Sequence, residues 1–244
     1  MSAPNSQLAA CLDGNARVGP GVGSDVRIDI WSDIACPWCY LGLTRLQAAL
    51  ARFEHGDAVD IQLHSFQLDP SVPESYPGTE AEYLATSKGL DVATVEQMFA
   101  RVSAAAAPDG VRLAFDDLVV ANSRRAHRLI QQAKLSDPSG RMAWALEVAL
   151  FEAHFRDGRN IGDTATLVEL AIGAGIAPDS ARDALDSPDR DAEVTADIDA
   201  AAQLGIRGVP FFVLAEKYGV SGAQPAEVFD DVLRQVWEEL ERVT

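Results

Sequence analysis

Apolar and polar positions alternate from Val26 to Asp33, with Val26, Ile28 and Ile30 on one side and Arg27, Asp29 and Trp31 on the other. A period of two predicts a strand. From about Cys36 the period lengthens. Leu43, Leu46, Leu50 and Phe53 recur at three- and four-residue spacing, which predicts a helix running to about Phe53. Alternation returns over Val59–Phe66, where Val59, Ile61 and Leu63 share a side. Strand, helix and strand in succession make a βαβ unit.

The chain then turns alanine-rich and loses its strand signal from Pro70 to Gly205. Helix starts are placed by their caps. Thr79 with Glu82 fits a capping box. Asp91 precedes Val95, Met98, Phe99 and Val102, and Asn122 precedes Ala126, Leu129, Ile130 and Ala133. Asp137-Pro138 reads as an N-cap followed by proline at the first helical position. Further helices are expected after Asp163, at Pro178 and at Pro188, the last stopping at Gly205 as a left-handed cap. Phe211-Phe212-Val213-Leu214 is a short apolar run, followed by a turn at Ala215-Glu216-Lys217 and a partner strand over Tyr218–Ser221. Pro225 opens a final amphipathic helix carrying Val228, Val232, Val236 and Leu240. The expected fold class is therefore α/β, ordered β-α-β, a large all-helical insertion between the second and third strands, then β-β-α. The expected segments are a disordered tail over 1–24, a sheet-bearing domain from 25–70 plus 200–244, and an inserted helical domain over 71–199.

The chain has 244 residues, 48% of them hydrophobic and 23% charged, as an ordinary globular protein does. Its net charge of −17 argues against nucleic acid or an anionic membrane as partner, because binding a polyphosphate needs a cationic face. No apolar stretch approaches the length of a spanning helix. Met1–Ser24 shows no basic leader followed by an apolar core, so an intracellular, cytoplasmic location is expected. Three cysteines are too few for a disulfide framework. Cys11 falls in the tail, whereas Cys36 and Cys39 stand together.

Cys36-Pro37-Trp38-Cys39 follows a strand and opens a helix. Two sulfurs one turn apart have a high effective concentration for each other. The first sits among unpaired helix N–H groups and the positive end of the helix dipole, which favours thiolate at Cys36. Pro37 suits the spot because its missing N–H would have had no helical partner. Cys39, one turn in, is expected to be more buried and to stay a thiol until it is needed. Exchange would pass through a mixed disulfide at Cys36, resolved by Cys39. A zinc site is the competing reading, but it needs four ligands, and Cys11, His55, His64, His127 and His154 supply no second close pair. No metal is expected.

A second feature is Gly208-Val209-Pro210-Phe211, just before the returning strand. Together with Asp33–Gly42, Phe66–Pro70, Asn122 with Ala126–Leu129, Leu150–Phe155 and Ser221–Pro225, it gives a series that resembles the DsbA-type thioredoxin superfamily. Within that superfamily the series is most similar to the FrnE-like oxidoreductases. The resemblance spans about Val26 to Leu240. It implies a thioredoxin-like fold with an inserted helical domain, and thiol–disulfide exchange with a protein or small-molecule thiol or disulfide. It also implies Cys36 as nucleophile, Cys39 as resolving thiol, and a cis bond before Pro210 that leaves the Val209 backbone free to pair with substrate. Pro37 and Trp38 are expected to line the substrate site. No cofactor beyond the redox-active cysteine pair is implied, with glutathione as a candidate co-substrate. Two alternatives stand beside this reading. One is a glutathione-dependent isomerase or transferase of the 2-hydroxychromene-2-carboxylate isomerase type, a branch that lacks the paired cysteines. The other is a non-catalytic binding or chaperone module.

Other residues have two readings each. His127 with Arg124, Arg125 and Arg128 is expected to be a solvated helix face with a capping imidazole, rather than a charged rim for glutathione. Asp33 is expected to cap the loop, with proton transfer to Cys39 as its functional alternative. His154 and Phe155 are expected to pack at a helix end.

Overall fold

The computed structural model of the chain describes residues 26–74 and 76–243; the expected tail and Cys11 lie outside them. Strand β1 (Val26–Ser32) is central in a four-stranded sheet, β2-β1-β3-β4, formed with β2 (Val59–Ser65), β3 (Phe211–Leu214) and β4 (Tyr218–Ser221). β1 runs parallel to β2, with Val26 opposite Val59 and Ile30 opposite Leu63. It runs antiparallel to β3, with Ile28 opposite Leu214 and Ile30 opposite Phe212. The central position explains why Ile28 through Ser32 are all buried, while the edge strand β2 keeps alternate residues half-exposed.

One face of the sheet packs on helix α1 (Pro37–Leu50) and the C-terminal helix, counted ninth below. There Ile28, Ile30, Ile61 and Phe212 meet Leu43, Leu46, Phe229 and Leu233 in a single core. Burying each such side chain contributes about 1.5–3 kcal/mol. Phe212 and Phe229 meet edge to face at 4.8 Å.

Between β2 and β3 come α2 (Glu80–Lys88), α3 (Val92–Ala106), α4 (Arg124–Ser136), α5 (Arg141–Phe151), α6 (Thr164–Gly173), α7 (Pro178–Leu185) and α8 (Pro188–Gln203). Helix α9 (Ala226–Val243) closes the chain. Both hydrogen bonds of the Thr79–Glu82 capping box form, and Asp91 and Asp163 cap α3 and α6 through the N–H groups of Thr94 and Thr166. Asn122 accepts from the Arg124 N–H at 2.9 Å, one residue outside the helix start proper.

The start expected at Asp137-Pro138 is displaced. Asp137 ends α4, and a turn closes from the Gly140 N–H to the Asp137 carbonyl at 3.0 Å. Gly140, with φ 74°, re-admits the chain into α5. The Asp137 carboxylate still accepts from the Met142 N–H at 3.1 Å. α5 runs into a π-helical turn over Glu152–Arg156, whose wide pitch buries Ala153, His154 and Phe155 in succession.

α8 lies on the second face of the sheet, although most of it falls within the expected 71–199 segment. The Trp31 indole donates to the Asp197 carbonyl at 3.1 Å. His64 bridges Asp197 at 2.9 Å and Asp29 at 2.7 Å. The insertion grips α1 through Tyr40, stacked on Phe151 at 5.3 Å.

Candidate active site

Cys36 is the N-cap of α1, with extended backbone (φ −104°, ψ 112°) and Pro37 at the first helical position. Its N–H donates to the Asp33 carbonyl at 3.0 Å, and its own carbonyl accepts from the N–H groups of Cys39 at 3.0 Å and Tyr40 at 3.4 Å. The Cys36 sulfur therefore sits at the helix tip, where N–H groups lack helical partners. Both cysteines are free thiols. Cys36 is 4% exposed and Cys39 fully buried. Burial, then the hydrogen bond and charge of Cys36, push the Cys39 thiol well above its ordinary value, and the charge of Asp33 adds to this.

The second wall comes from the far end of the chain. The Val209–Pro210 bond is cis, and the Cys36 thiol donates to the Val209 carbonyl at 3.8 Å. Pro210 reaches this position because α1 carries Gly42 beneath it. A Cβ there would lie 2.8 Å from Pro210 Cγ.

Asp33 anchors the loop below the dithiol. Its carboxylate accepts from Ala35 N–H at 3.2 Å, Leu68 N–H at 2.7 Å and His127 Nε2 at 3.3 Å. Burial pushes this carboxyl up, but the hydrogen bond and charge of His127 outweigh it and hold Asp33 below the usual carboxylate range. Asp33 thus caps the loop through Ala35 and ties it to Leu68.

His127 is a correction. It is 2% exposed and faces Asp33, not solvent, because α4 turns this residue inward while the arginines beside it point away. Arg124 and Arg128 both bind Asp191, at 2.8 and 2.7 Å, and Arg125 donates to the Gly162 carbonyl at 3.1 Å. They form no rim at the dithiol. Asp29 lies on the other face of β1, tied to His64 and Arg27. His154 is buried, and burial lowers its imidazole to about 4.

Nothing in the local pattern announced Glu147. It is buried on α5, its Oε1 has no partner among the described residues, and burial raises it to about 7. Nor did local pattern disclose the cleft of about 310 Å³ that opens at Cys36, Pro37 and Trp38 and is walled by Leu68, Met98 and Phe115.

Solved structures of other proteins share the fold. A probable DsbA oxidoreductase from Streptomyces coelicolor is 41% identical, with a TM-score of 0.79 over 88% of this chain and 91% of that one. The cytosolic disulfide reductase DsbM from Pseudomonas aeruginosa shares the fold at 20% identity, TM-score 0.60, over 87% and 98%. A 2-hydroxychromene-2-carboxylate isomerase shares it at 16% identity, TM-score 0.66, over 89% and 99%. The DSBA-like thioredoxin domain model matches residues 27–234, nearly the whole described chain. With the dithiol at a helix tip and the helical insertion beside it, the chain belongs to the DSBA-like thioredoxin domain family.

Proposed function

We propose that the protein is a thiol–disulfide oxidoreductase of the FrnE-like kind, acting through a mixed disulfide at Cys36 on a thiol or disulfide substrate. The observation that carries this reading is the placement of Cys36 at the N-cap of α1, with Cys39 one turn in and the Val209 carbonyl 3.8 Å away.

In the reducing direction the Cys36 thiolate attacks a substrate disulfide. One S–S bond forms, the substrate's breaks, and a substrate thiolate departs. Cys39 then attacks the Cys36 sulfur, releasing the second substrate thiolate and leaving the Cys36–Cys39 disulfide. The proton of Cys39 passes to a departing thiolate. The order of events is built into the electrostatics. While Cys36 is free, its hydrogen bond and charge help hold Cys39 protonated. Once Cys36 is bonded to substrate that charge is gone, and Cys39 becomes easier to ionise. Val209 lies outside β3, which begins at Phe211, and in this reading its backbone pairs with the substrate. An intracellular location belongs to the same proposal and rests on cysteine usage.

The glutathione-dependent isomerase has the fold in its favour, but it has no use for a second cysteine beneath the first. The test is reduction of a peptide disulfide by the reduced forms of wild type, Cys36→Ser and Cys39→Ser. Cys36→Ser is expected to fall to background, and Cys39→Ser to accumulate a mixed disulfide visible by mass. Equal rates for wild type and Cys36→Ser would remove Cys36 from the mechanism.

A further inference from the structure

The wall facing the dithiol from the insertion is mostly carbon. Leu68, Leu84, Met98, Phe99 and Phe115 enclose the cleft that ends at Cys36. Phe99 and Phe115 stack face to face at 4.0 Å. Three of its large apolar residues are held open to solvent: Trp38 at 36%, Leu68 at 47% and Met98 at 51%. Apolar exposure gathered around a reactive sulfur marks a binding surface, whereas scattered exposure does not.

The charges around this cleft are already committed. Among the described residues Lys88 is its one lining cation, and its ammonium lies 3.3 Å from Asp69. Asp33 is held by His127 and two N–H groups. Glu80 also lines the cleft, and burial, with the charge of Asp69, raises its carboxyl to about 7. A further carboxylate brought here would meet carboxyl groups and no spare cation. Glutathione carries two. A volume of about 310 Å³ is at the small end of ligand sites, enough for one or two rings.

Resting on the exchange reading above, we propose that this cleft selects a compact, uncharged thiol or disulfide whose sulfur carries an apolar ring, and discriminates against glutathione. The step is balanced. A substrate thiolate attacks the Cys36 sulfur of the oxidised pair, and Cys39 leaves as a thiolate and takes a proton. A second substrate thiolate attacks the sulfur of the first. The substrate disulfide departs, two electrons have entered the protein, and Cys36 is free.

The test follows reduction of the oxidised protein by benzyl mercaptan, 2-mercaptoethanol and glutathione, compared at equal thiolate concentration. Partial burial of one ring is expected to favour benzyl mercaptan by about ten-fold over either of the others. Met98→Glu, at a half-exposed wall position, should shrink that preference to about two-fold. Leu135→Glu, an equally conservative surface change on α4 at a residue 60% exposed, should keep it. Glutathione matching or outpacing benzyl mercaptan overturns the proposal. So does a preference untouched by Met98→Glu, or a reduced unfolded protein that outpaces benzyl mercaptan at equal thiolate. If all three thiols react fast and alike, the selectivity fails while the exchange reading stands. If none reduces the pair faster than it reduces free cystine, both fail together.

Discussion

Gly42→Ala adds one methyl group to the second turn of α1, and that group has nowhere to go. It would lie 2.8 Å from Pro210 Cγ, 3.2 Å from Phe212 Cζ and 3.4 Å from Pro210 Cβ. Carbon atoms in contact settle at about 3.5–4.0 Å, so the proline ring must retreat by about 0.7 Å. Neither neighbour is a pliable tip: Pro210 is a closed ring and Phe212 is fully buried. Two energies oppose each other. Alanine in place of a helical glycine gains about 1 kcal/mol, and overpacking a close contact loses about 1–3 kcal/mol. The expected net loss is about 0–2 kcal/mol. The functional effect should be larger, because Pro210 carries the Val209 carbonyl that faces the Cys36 sulfur. A misplacement near 1 Å costs about a hundred-fold in rate, so a loss of about ten-fold or more is expected here. Gly173→Ala is the control, since a Cβ there meets nothing within 4 Å. It should gain up to about 1 kcal/mol with no change in rate. Urea melts give the stabilities and stopped-flow tryptophan fluorescence the exchange rates. If Gly42→Ala gains stability as Gly173→Ala does, and exchanges at the wild-type rate, the close approach of Pro210 to α1 is not what positions the site.

Two further outcomes concern pH. Glu147 has its carboxyl raised from 4.5 to about 7, so its contribution to stability is complete below 4.5 and is lost as pH rises through about 7. Ionising it in alkali costs about 3 kcal/mol, and Glu147→Gln should be more stable than wild type at pH 8.5, with the gain largely gone at pH 5. Urea melts giving the same difference at both pH values would contradict this. His64 is raised above 6.5, since burial, which lowers it, is outweighed by the hydrogen bonds it donates to Asp197 and Asp29, and both of those carboxyls are lowered below 3.8. The stabilisation from His64 is complete below 6.5 and fades as pH rises through its raised value, whereas that from the two carboxylates is present above 3.8 and fades in acid. His64→Leu should therefore cost about 3 kcal/mol near pH 6 and less at pH 9; melting curves showing an equal or wider gap at pH 9 would refute the pairing.

What the sequence disclosed was what short range decides. Thr79 with Glu82, Asp91 and Asp163 announced helix starts because a cap and its N–H partners lie within three residues. Strand alternation marked β1 and β2 for the same reason. Asp137-Pro138 misled because an aspartate before a proline closes one helix as readily as it opens the next. Only Gly140, with its positive φ, shows where α5 begins. His127 was hidden for a different reason. Its neighbours Arg124, Arg125 and Arg128 paint the helix as polar, and the burial of one imidazole depends on Asp33, which arrives from another element. The same holds for the cleft. Leu68, Met98 and Phe115 belong to three separate segments, and no local period ties them to Cys36.

The Cys36 sulfur and the Val209 carbonyl are 173 positions apart in the chain. At ribosomal speeds of about 5–20 residues per second, that separation is about 10–35 s of synthesis. Through that interval β1 has no neighbour on its β3 side, and the Cys36 thiol has no Val209 carbonyl to meet. One wall of the cysteine pair is thus translated near the start of the described chain and the other near its end, so the site is completed only when β3 is made.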